Sequence, residues 1–185
     1  MLETKHKQIL LKLAAASVKY GLEHSSPLPV NLNEYENTLT EQGACFVTLT
    51  INDQLRGCIG TLVASRPLVQ DLVENAYAAA FRDPRFPALT TEEYKHLHYH
   101  VSILNPPISM QFSSEGDLLA QLRPAVDGLI IEDMGRRATF LPTVWDSLPD
   151  PEEFLRQLKL KAGLSENHWS DSFTAHRYTV DDFSN

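Results

Sequence analysis

The run Leu55–Thr61, with the sequence LRGCIGT, constrains the fold most because it places two glycines in an otherwise strand-forming stretch. Glycine weakens the interior of a strand, so two of them predict a bulge or the close approach of another group. The preceding run Cys45–Ile51 alternates apolar and polar residues, which is typical of a half-buried strand. The two runs together predict a β-hairpin.

The length of the hairpin loop decides which side chains share a face of the sheet. A two-residue loop would place an arginine on the core face, where an unpaired guanidinium is costly. We therefore expect a three-residue loop, Asn52–Gln54, that pairs Ile51 with Leu55 and Val47 with Ile59. The expected core face is Val47, Leu49, Ile51, Leu55 and Ile59, and the expected opposite face is Thr48, Thr50, Arg56 and Cys58.

The remaining patterns predict three helices and further strands. Apolar residues at helical spacing predict a first helix that ends at Gly21, and Ser65 is the expected N-cap of a second. Asp150 and Glu153 are the expected capping residues of a third. Because the strands do not alternate regularly with helices, we expect an α+β fold with a mainly antiparallel sheet flanked by helices, in a single domain over residues 1–185. The further strands expected are Tyr99–Ile103, Gly128–Glu132, Arg137–Leu141 and Phe173–Val180.

Charge and cysteine content narrow the function classes. The chain has a formal net charge of −8, and an acidic surface repels nucleic acid, which makes nucleic-acid binding the least favoured function. The two cysteines, Cys45 and Cys58, point apart in the expected register, so no disulfide is expected and a reducing, cytoplasmic setting is favoured. No signal peptide is recognised, and no apolar run reaches the ~20 residues that cross a bilayer.

Cys58 is the first candidate for chemistry. A neighbouring guanidinium can lower the pKa of a thiol and favour the nucleophilic thiolate, and Arg56 shares the expected face with Cys58. On residue types alone the favoured interpretation is a small buried thiol beside a structural arginine, because cysteine commonly packs as a small apolar residue.

Two further groups of residues carry alternatives. His96, His98 and His100 would share one strand face and could present imidazoles to a metal, but a solvated face is favoured and no metal is expected. The loop that contains Asp83, Arg85 and Phe86 could clamp an anionic or planar ligand, or its ion pair could brace the end of a helix. The phosphate-cradling, dinucleotide-binding, nucleophile-elbow and zinc-binding signatures are absent from the sequence, and we expect no cofactor.

Several segments together resemble the AMMECR family over nearly the whole chain. The heptapeptide Leu55–Thr61 is similar to the family's signature, and the other segments follow in the family's order. The segments with this resemblance are Asp83–Pro87, Val101–Pro107, Asp127–Ile131, Ala138–Pro142, Leu158–Gly163 and Arg177-Tyr178. The resemblance implies a larger and a smaller lobe, with the heptapeptide near a cleft between them. It also implies a bacterial setting, because the family's prokaryotic members are often encoded beside a Memo-type protein and a radical-SAM protein, as component A of the AmmeMemoRadiSam system.

The resemblance does not imply a reaction, so two hypotheses about the function stay open. The first is an accessory component that acts with Memo-type and radical-SAM partners and holds a small ligand or peptide. The second is an enzyme in which Cys58 is a catalytic thiolate, activated by Arg56 and served by His100 across the sheet. His98 and His100 depart from the acidic or polar residues frequent in the family. The residues expected to contact a ligand are Arg56, Gly57, Gly60, Thr61, Asp83, Arg85, Phe86 and Ser102.

Overall fold

A computed structural model describes residues 2–185, which form two compact units. The first unit extends to Leu104 and includes Asp181–Asn185, and the second is Asn105–Val180. The helices are α1 (Thr4–His24), α2 (Asn37–Thr40), α3 (Leu68–Phe81), α4 (Thr91–Tyr94), α5 (Glu115–Gln121) and α6 (Pro151–Lys161). The strands are β1 (Gln42–Ile51), β2 (Gln54–Gly60), β3 (Arg66–Pro67), β4 (His98–Leu104), β5 (Ile108–Ser109), β6 (Gly128–Asp133), β7 (Arg136–Phe140), β8 (Thr174–Tyr178) and β9 (Val180–Ser184).

The predicted α+β class is confirmed, because each unit combines helices with an antiparallel sheet. The sheet of the first unit has the order β2-β1-β4-β9, with β3 also paired to β1, and that of the second has the order β5-β8-β6-β7. No helix among residues 2–185 is both long and apolar enough to cross a membrane. The prediction of a single domain over residues 1–185 stays a prediction.

The β1–β2 hairpin corrects the predicted loop. Asn52 and Asp53 both have positive φ, 51° and 61°, and form a two-residue turn that pairs Ile51 with Gln54. The three-residue loop and its Ile51–Leu55 pair were therefore wrong, and Leu55 is 44% exposed rather than part of the core. A bulge then places Arg56 as the extra residue of β2.

The bulge restores the register beyond it. The predicted pair of Val47 with Ile59 is confirmed, because the short turn and the extra residue compensate for each other. Leu49 faces Gly57, and both Val47 and Leu49 are fully buried. Sequence reasoning had weighed the two loop lengths but not a short turn combined with a bulge.

Helices α1 and α3 cover one face of the first unit's sheet. Gly21 does not end α1: the helix continues to His24, and Gly21 is buried against the rings of Tyr77 and Phe81. A Cβ there would lie 2.5 Å from the Phe81 ring, so the missing side chain lets the helices approach. The predicted N-cap at Ser65 was also wrong, because Arg66-Pro67 pair with β1 as a strand and the helix begins at Leu68. The core of this unit includes Leu10, Val18, Val47, Leu49, Leu72, Ala76 and Val101.

The second unit packs α5 and α6 with its sheet around a separate apolar core. The indole of Trp145 stacks on Phe154 with ring centroids 3.8 Å apart, and its Nε1 donates to the Asp127 carbonyl. As predicted, Asp150 caps α6: its carboxylate accepts the Glu153 N–H at 2.9 Å. Around these aromatic rings lie Leu118, Leu129, Ile131, Leu155, Leu158 and Phe173.

Candidate functional site

Cys58 lies on the outer strand β2, with a partly exposed side chain. The Thr48 hydroxyl donates to its Sγ at 3.1 Å, which is the only side-chain hydrogen bond of the sulfur within residues 2–185. Side chains alternate along β1, so Thr48 and Cys58 occupy the face opposite Val47 and Leu49, away from the helices. The predicted placement of Cys58 on this open face is confirmed.

A row of four polar side chains crosses this open face. Thr48 pairs with Cys58 in β2 and with His100 in β4, and the His100 Nε2 lies 3.0 Å from an Asp182 carboxylate oxygen in β9. The hydrogen bond to Asp182 raises the pKa of His100. Cys58 and His100 share the face, as predicted, but their strands are two spacings apart, about 10 Å between main chains. His100 is engaged with the carboxylate, and the thiol is engaged with Thr48.

Ser102 belongs to the same face, two residues along β4. Its hydroxyl donates to Asp182 at 2.5 Å, so Asp182 holds both Ser102 and His100. His98 is exposed, and His96 lies before the strand begins, so the three histidines do not form the continuous strand face that was expected. Within residues 2–185 no group of three or more His, Cys, Asp or Glu side chains is arranged to hold a metal.

The two glycines of the heptapeptide accommodate groups of the protein itself. A Cβ on Gly57 would lie 2.0 Å from the Ala79 carbonyl oxygen of α3. A Cβ on Gly60 would lie 2.3 Å from the ring of Phe46, its neighbour across the hairpin, and 2.7 Å from a β1 carbonyl. The expected close approach by another group is therefore confirmed, and the groups are a helix backbone and an aromatic ring.

Asp83 and Arg85 form a fork around the main chain of Cys58. The buried Asp83 carboxylate accepts the Cys58 N–H at 2.9 Å and receives the Arg85 Nε and Nη2 at 2.9 and 2.7 Å. The same Nη2 donates to the Cys58 carbonyl at 3.2 Å. The hydrogen bonds from Arg85 lower the pKa of the Asp83 carboxyl well below its usual range. The alternative in which this ion pair acts as a brace thus has direct geometric support, and the pair braces β2 as well as the loop.

Arg56 is buried, and its guanidinium is neutralised. Its Nε and Nη2 donate to the two carboxylate oxygens of Glu93 at 2.7 and 3.2 Å, and Nη2 also donates to the Pro87 carbonyl at 2.9 Å. The hydrogen bond from Arg56 lowers the pKa of Glu93 to about 2. The expected activation of Cys58 by Arg56 assumed unbroken alternation along β2, which the bulge interrupts, and the guanidinium beside Cys58 belongs to Arg85.

Phe86 contacts both arginines. The Cζ atoms of Arg56 and Arg85 lie 5.7 and 5.6 Å from the centre of its partly exposed ring, within cation–π range. Each guanidinium is fixed through its Nε and Nη2 by a carboxylate, and within residues 2–185 neither Nη1 makes a hydrogen bond. The three side chains form what we call the arginine–phenylalanine cluster: Arg56, Arg85 and Phe86.

The Thr61 side chain is hydrogen-bonded within a buried polar network centred on Asp71. Its hydroxyl donates to an Asp71 carboxylate oxygen at 2.5 Å, which also accepts the Cys45 N–H and the Asn75 amide, both at 2.9 Å. Arg66 donates to the other carboxylate oxygen. Burial raises the pKa of the Cys45 thiol, so Cys58 is the cysteine available to reagents.

The structure thus divides the predicted ligand residues among three places. Arg85 of the arginine–phenylalanine cluster contacts the main chain of Cys58. Ser102 lies across the sheet, where it shares Asp182 with His100. The Thr61 hydroxyl belongs to the buried network around Asp71. Sequence reasoning missed the partners that hold these residues. Of these, only Glu93 had a recognisable signal, since Thr90 and Glu93 have capping-box spacing at the start of α4. Thr48 was expected on the same face as Cys58, and the missed partners are Asp71, Asn75, Glu93 and Asp182.

Comparison with known proteins gives consistent matches over the full fold. The sequence profile of the AMMECR1 family matches residues 11–183. A protein of Methanothermobacter thermautotrophicus is 35% identical over 170 residues, covering 89% of this chain and 86% of its own. A protein of Thermotoga maritima is 37% identical over 168 residues, covering 89% and 88%. The crystal structure of the uncharacterised protein PH0010 from Pyrococcus horikoshii superposes with a TM-score of 0.82 and 30% identity, over 96% of this chain and 90% of that one.

Proposed function

Because this chain belongs to the AMMECR1 family, whose members matched here are of uncharacterised function, we propose that it is an accessory, ligand-binding component acting with Memo-type and radical-SAM partners. The observation that carries the binding role is the arginine–phenylalanine cluster beside Cys58. A group already held in position loses little conformational entropy when it binds a ligand, and both guanidinium groups are held by carboxylates.

The cluster fits a small ligand or peptide that combines a flat or apolar part with hydrogen-bond acceptors. Phe86 offers a partly exposed ring, and each Nη1 offers N–H donors that no described residue uses. The Asp83 and Glu93 carboxylates cancel the charge of the two arginines, so the attraction for an anion is modest and shape and hydrogen bonding select the ligand.

The partner proposal is tested with purified proteins. The chain is immobilised, and a purified Memo-type protein and a purified radical-SAM protein are passed over it in turn while binding is followed by biolayer interferometry. We expect saturable binding that Phe86→Ala weakens at least tenfold. The matched control is Tyr20→Ala, which removes another partly buried aromatic side chain, from α1, and should leave binding unchanged. Absence of binding by the wild-type chain, or equal binding by Phe86→Ala, would contradict the proposal.

The second candidate is an enzyme with Cys58 as the nucleophile, and the polar row across the open face favours it. Cys58, Thr48, His100 and Asp182 follow one another on four neighbouring strands, and the last two form an imidazole–carboxylate pair like those that orient a catalytic base. Among the described residues 2–185 no base lies within hydrogen-bond distance of the sulfur, because Thr48 is the one side chain there that bonds to Sγ.

Thiol alkylation separates the two functions. The rate of reaction with iodoacetamide is measured against pH for the wild-type chain and for Cys45→Ala, with Cys58→Ser as the control for residual labelling. An accessory role predicts a Cys58 that reacts no faster at pH 7 than free cysteine. A much faster reaction that His100→Ala reduces would favour the enzyme and would direct a substrate search towards acyl-transfer or redox chemistry.

A further inference from the structure

Side chains form hydrogen bonds to the main chain at the outer edge of β2, where no neighbouring strand lies within residues 2–185. A strand at the edge of a sheet presents unpaired N–H and C=O groups, which can pair with a strand of another molecule. In an antiparallel ladder every second residue turns both groups away from its neighbour. Cys58 is such a residue, since its N–H and C=O bond to Asp83 and Arg85 and not to β1.

The fork supplies to Cys58 what a neighbouring strand would supply. The Asp83 carboxylate takes the place of a carbonyl acceptor, and the Arg85 guanidinium takes the place of an N–H donor. The two side chains are joined to each other by two hydrogen bonds, and Pro84 and Pro87 fix φ in the loop that carries them. Asp83 is only 4% exposed, so its position is set by packing as well as by Arg85.

We propose that the fork closes the edge of β2 at Cys58 against a second copy of this chain. A residue in a hydrogen-bonded antiparallel pair must give one N–H and accept at one C=O, and Cys58 presents both outwards. A two-fold-related copy can therefore pair with β2 at this residue, with Cys58 opposite Cys58, and this register gives a closed symmetric dimer. The loop from Asp83 to Pro87 occupies that position while the fork holds it against the strand.

This edge closure is independent of the proposed binding role. Closure uses the Nε and Nη2 of Arg85, whereas ligand binding would use Nη1 and the ring of Phe86. Loss of partner binding in Phe86→Ala would leave the closure intact, and opening of the edge would be seen without any ligand. The two proposals can therefore fail separately.

The test compares association of the wild-type chain with that of Arg85→Ala and the double variant Asp83→Ala/Arg85→Ala. Mass is measured by light scattering and sedimentation from low to high micromolar concentration. We expect the double variant to associate, with a concentration-dependent rise above the wild-type mass by one further copy of 20.8 kDa, and Arg85→Ala to show a smaller rise. A short bismaleimide should join the copies of the double variant through Cys58, because paired residues lie about 5.5 Å apart between Cα atoms. Cys58→Ser should abolish that cross-link.

The matched control is Glu153→Ala/Arg156→Ala, which removes another acid–arginine pair, on α6, in which the arginine hydrogen-bonds to carboxylates and not to the main chain of a strand. It should keep the wild-type mass. If the double variant does not fold, Arg85→Ala decides the question alone, since its side chain is half exposed and its loss leaves Asp83 on the Cys58 N–H. Variants that remain folded by circular dichroism and keep the wild-type mass throughout would overturn the proposal.

Discussion

Gly57→Ala tests the account of the heptapeptide most directly. The new Cβ would lie 2.0 Å from the Ala79 carbonyl oxygen and 3.0 Å from its carbon, both main-chain atoms of α3. Ordinary contact begins near 3.4 Å, so the strand and the helix would have to separate by about 1.4 Å. A helix backbone cannot rotate away as a side chain can, and the separation would open the contact of α3 with the buried face of β1.

We expect Gly57→Ala to lower the free energy of unfolding by about 3 kcal/mol or more, the upper range for overpacked cores. For a chain of this size that corresponds to a fall in Tm of about 6–12 °C. The assays are urea denaturation and a thermal melt followed by circular dichroism. Gly116→Ala in α5 is the control: its Cβ would meet only the Ser114 hydroxyl at 3.9 Å, and alanine favours the helix, so stability should hold or rise. A Gly57→Ala chain within about 0.5 kcal/mol of wild type would refute the reasoning.

Three further predictions concern buried or paired charges. The pKa of Glu93 is about 2 in the folded chain, below its unfolded value, so the stability that its carboxylate contributes should be present above about pH 4.3 and lost as pH falls towards 2. In urea titrations, the free energy of unfolding of Glu93→Gln should fall less than that of the wild-type chain over the same pH range. Glu115→Ala leaves the fully buried Lys159 ammonium without its partner and should lower the free energy of unfolding by about 3 kcal/mol, whereas Lys159→Met should change it by less than about 1 kcal/mol in the same titration. The hydrogen bond to Asp182 raises the pKa of His100 in the folded chain, so the pair stabilises the fold below the histidine pKa of the unfolded chain, and this stabilisation is lost as pH rises through the folded-state pKa. Asp182→Asn should therefore shift the NMR titration of His100 to lower pH. An unchanged titration would contradict the pairing.

The heptapeptide Leu55–Thr61 shows which features of the fold the sequence could predict and which it could not. Alternation predicted the hairpin, the open face and the presence of Cys58 on that face, because period-two burial is local information. The two glycines predicted a bulge or a close approach, but local reasoning could not show that the bulge buries Arg56. Burying that guanidinium is favourable only because Glu93, 37 positions along the chain, meets it. The objection to a buried arginine was physically sound, but it assumed an arginine without a partner.

The roles predicted for the glycines were wrong or incomplete for a related reason. Gly21 was interpreted as a helix stop because glycine is common there, yet its role is to admit the rings of Tyr77 and Phe81. The close approach predicted at Gly57 was correct in kind, but the sequence does not say whether a ligand or a helix approaches. Which group fills the space of a missing Cβ depends on tertiary packing, and local patterns do not encode it.

The order in which the first unit's strands occur along the chain has a consequence for biosynthesis. The chain leaves this unit at Leu104, forms the whole second unit, and returns at Asp181 to add β9 beside β4. During translation β4 therefore stays an unpaired edge while some 76 further residues, Asn105–Val180, are synthesised. His100 and Ser102 receive their carboxylate partner only when Asp182 emerges from the ribosome, so the polar row on the open face is completed only after the whole second unit has been synthesised.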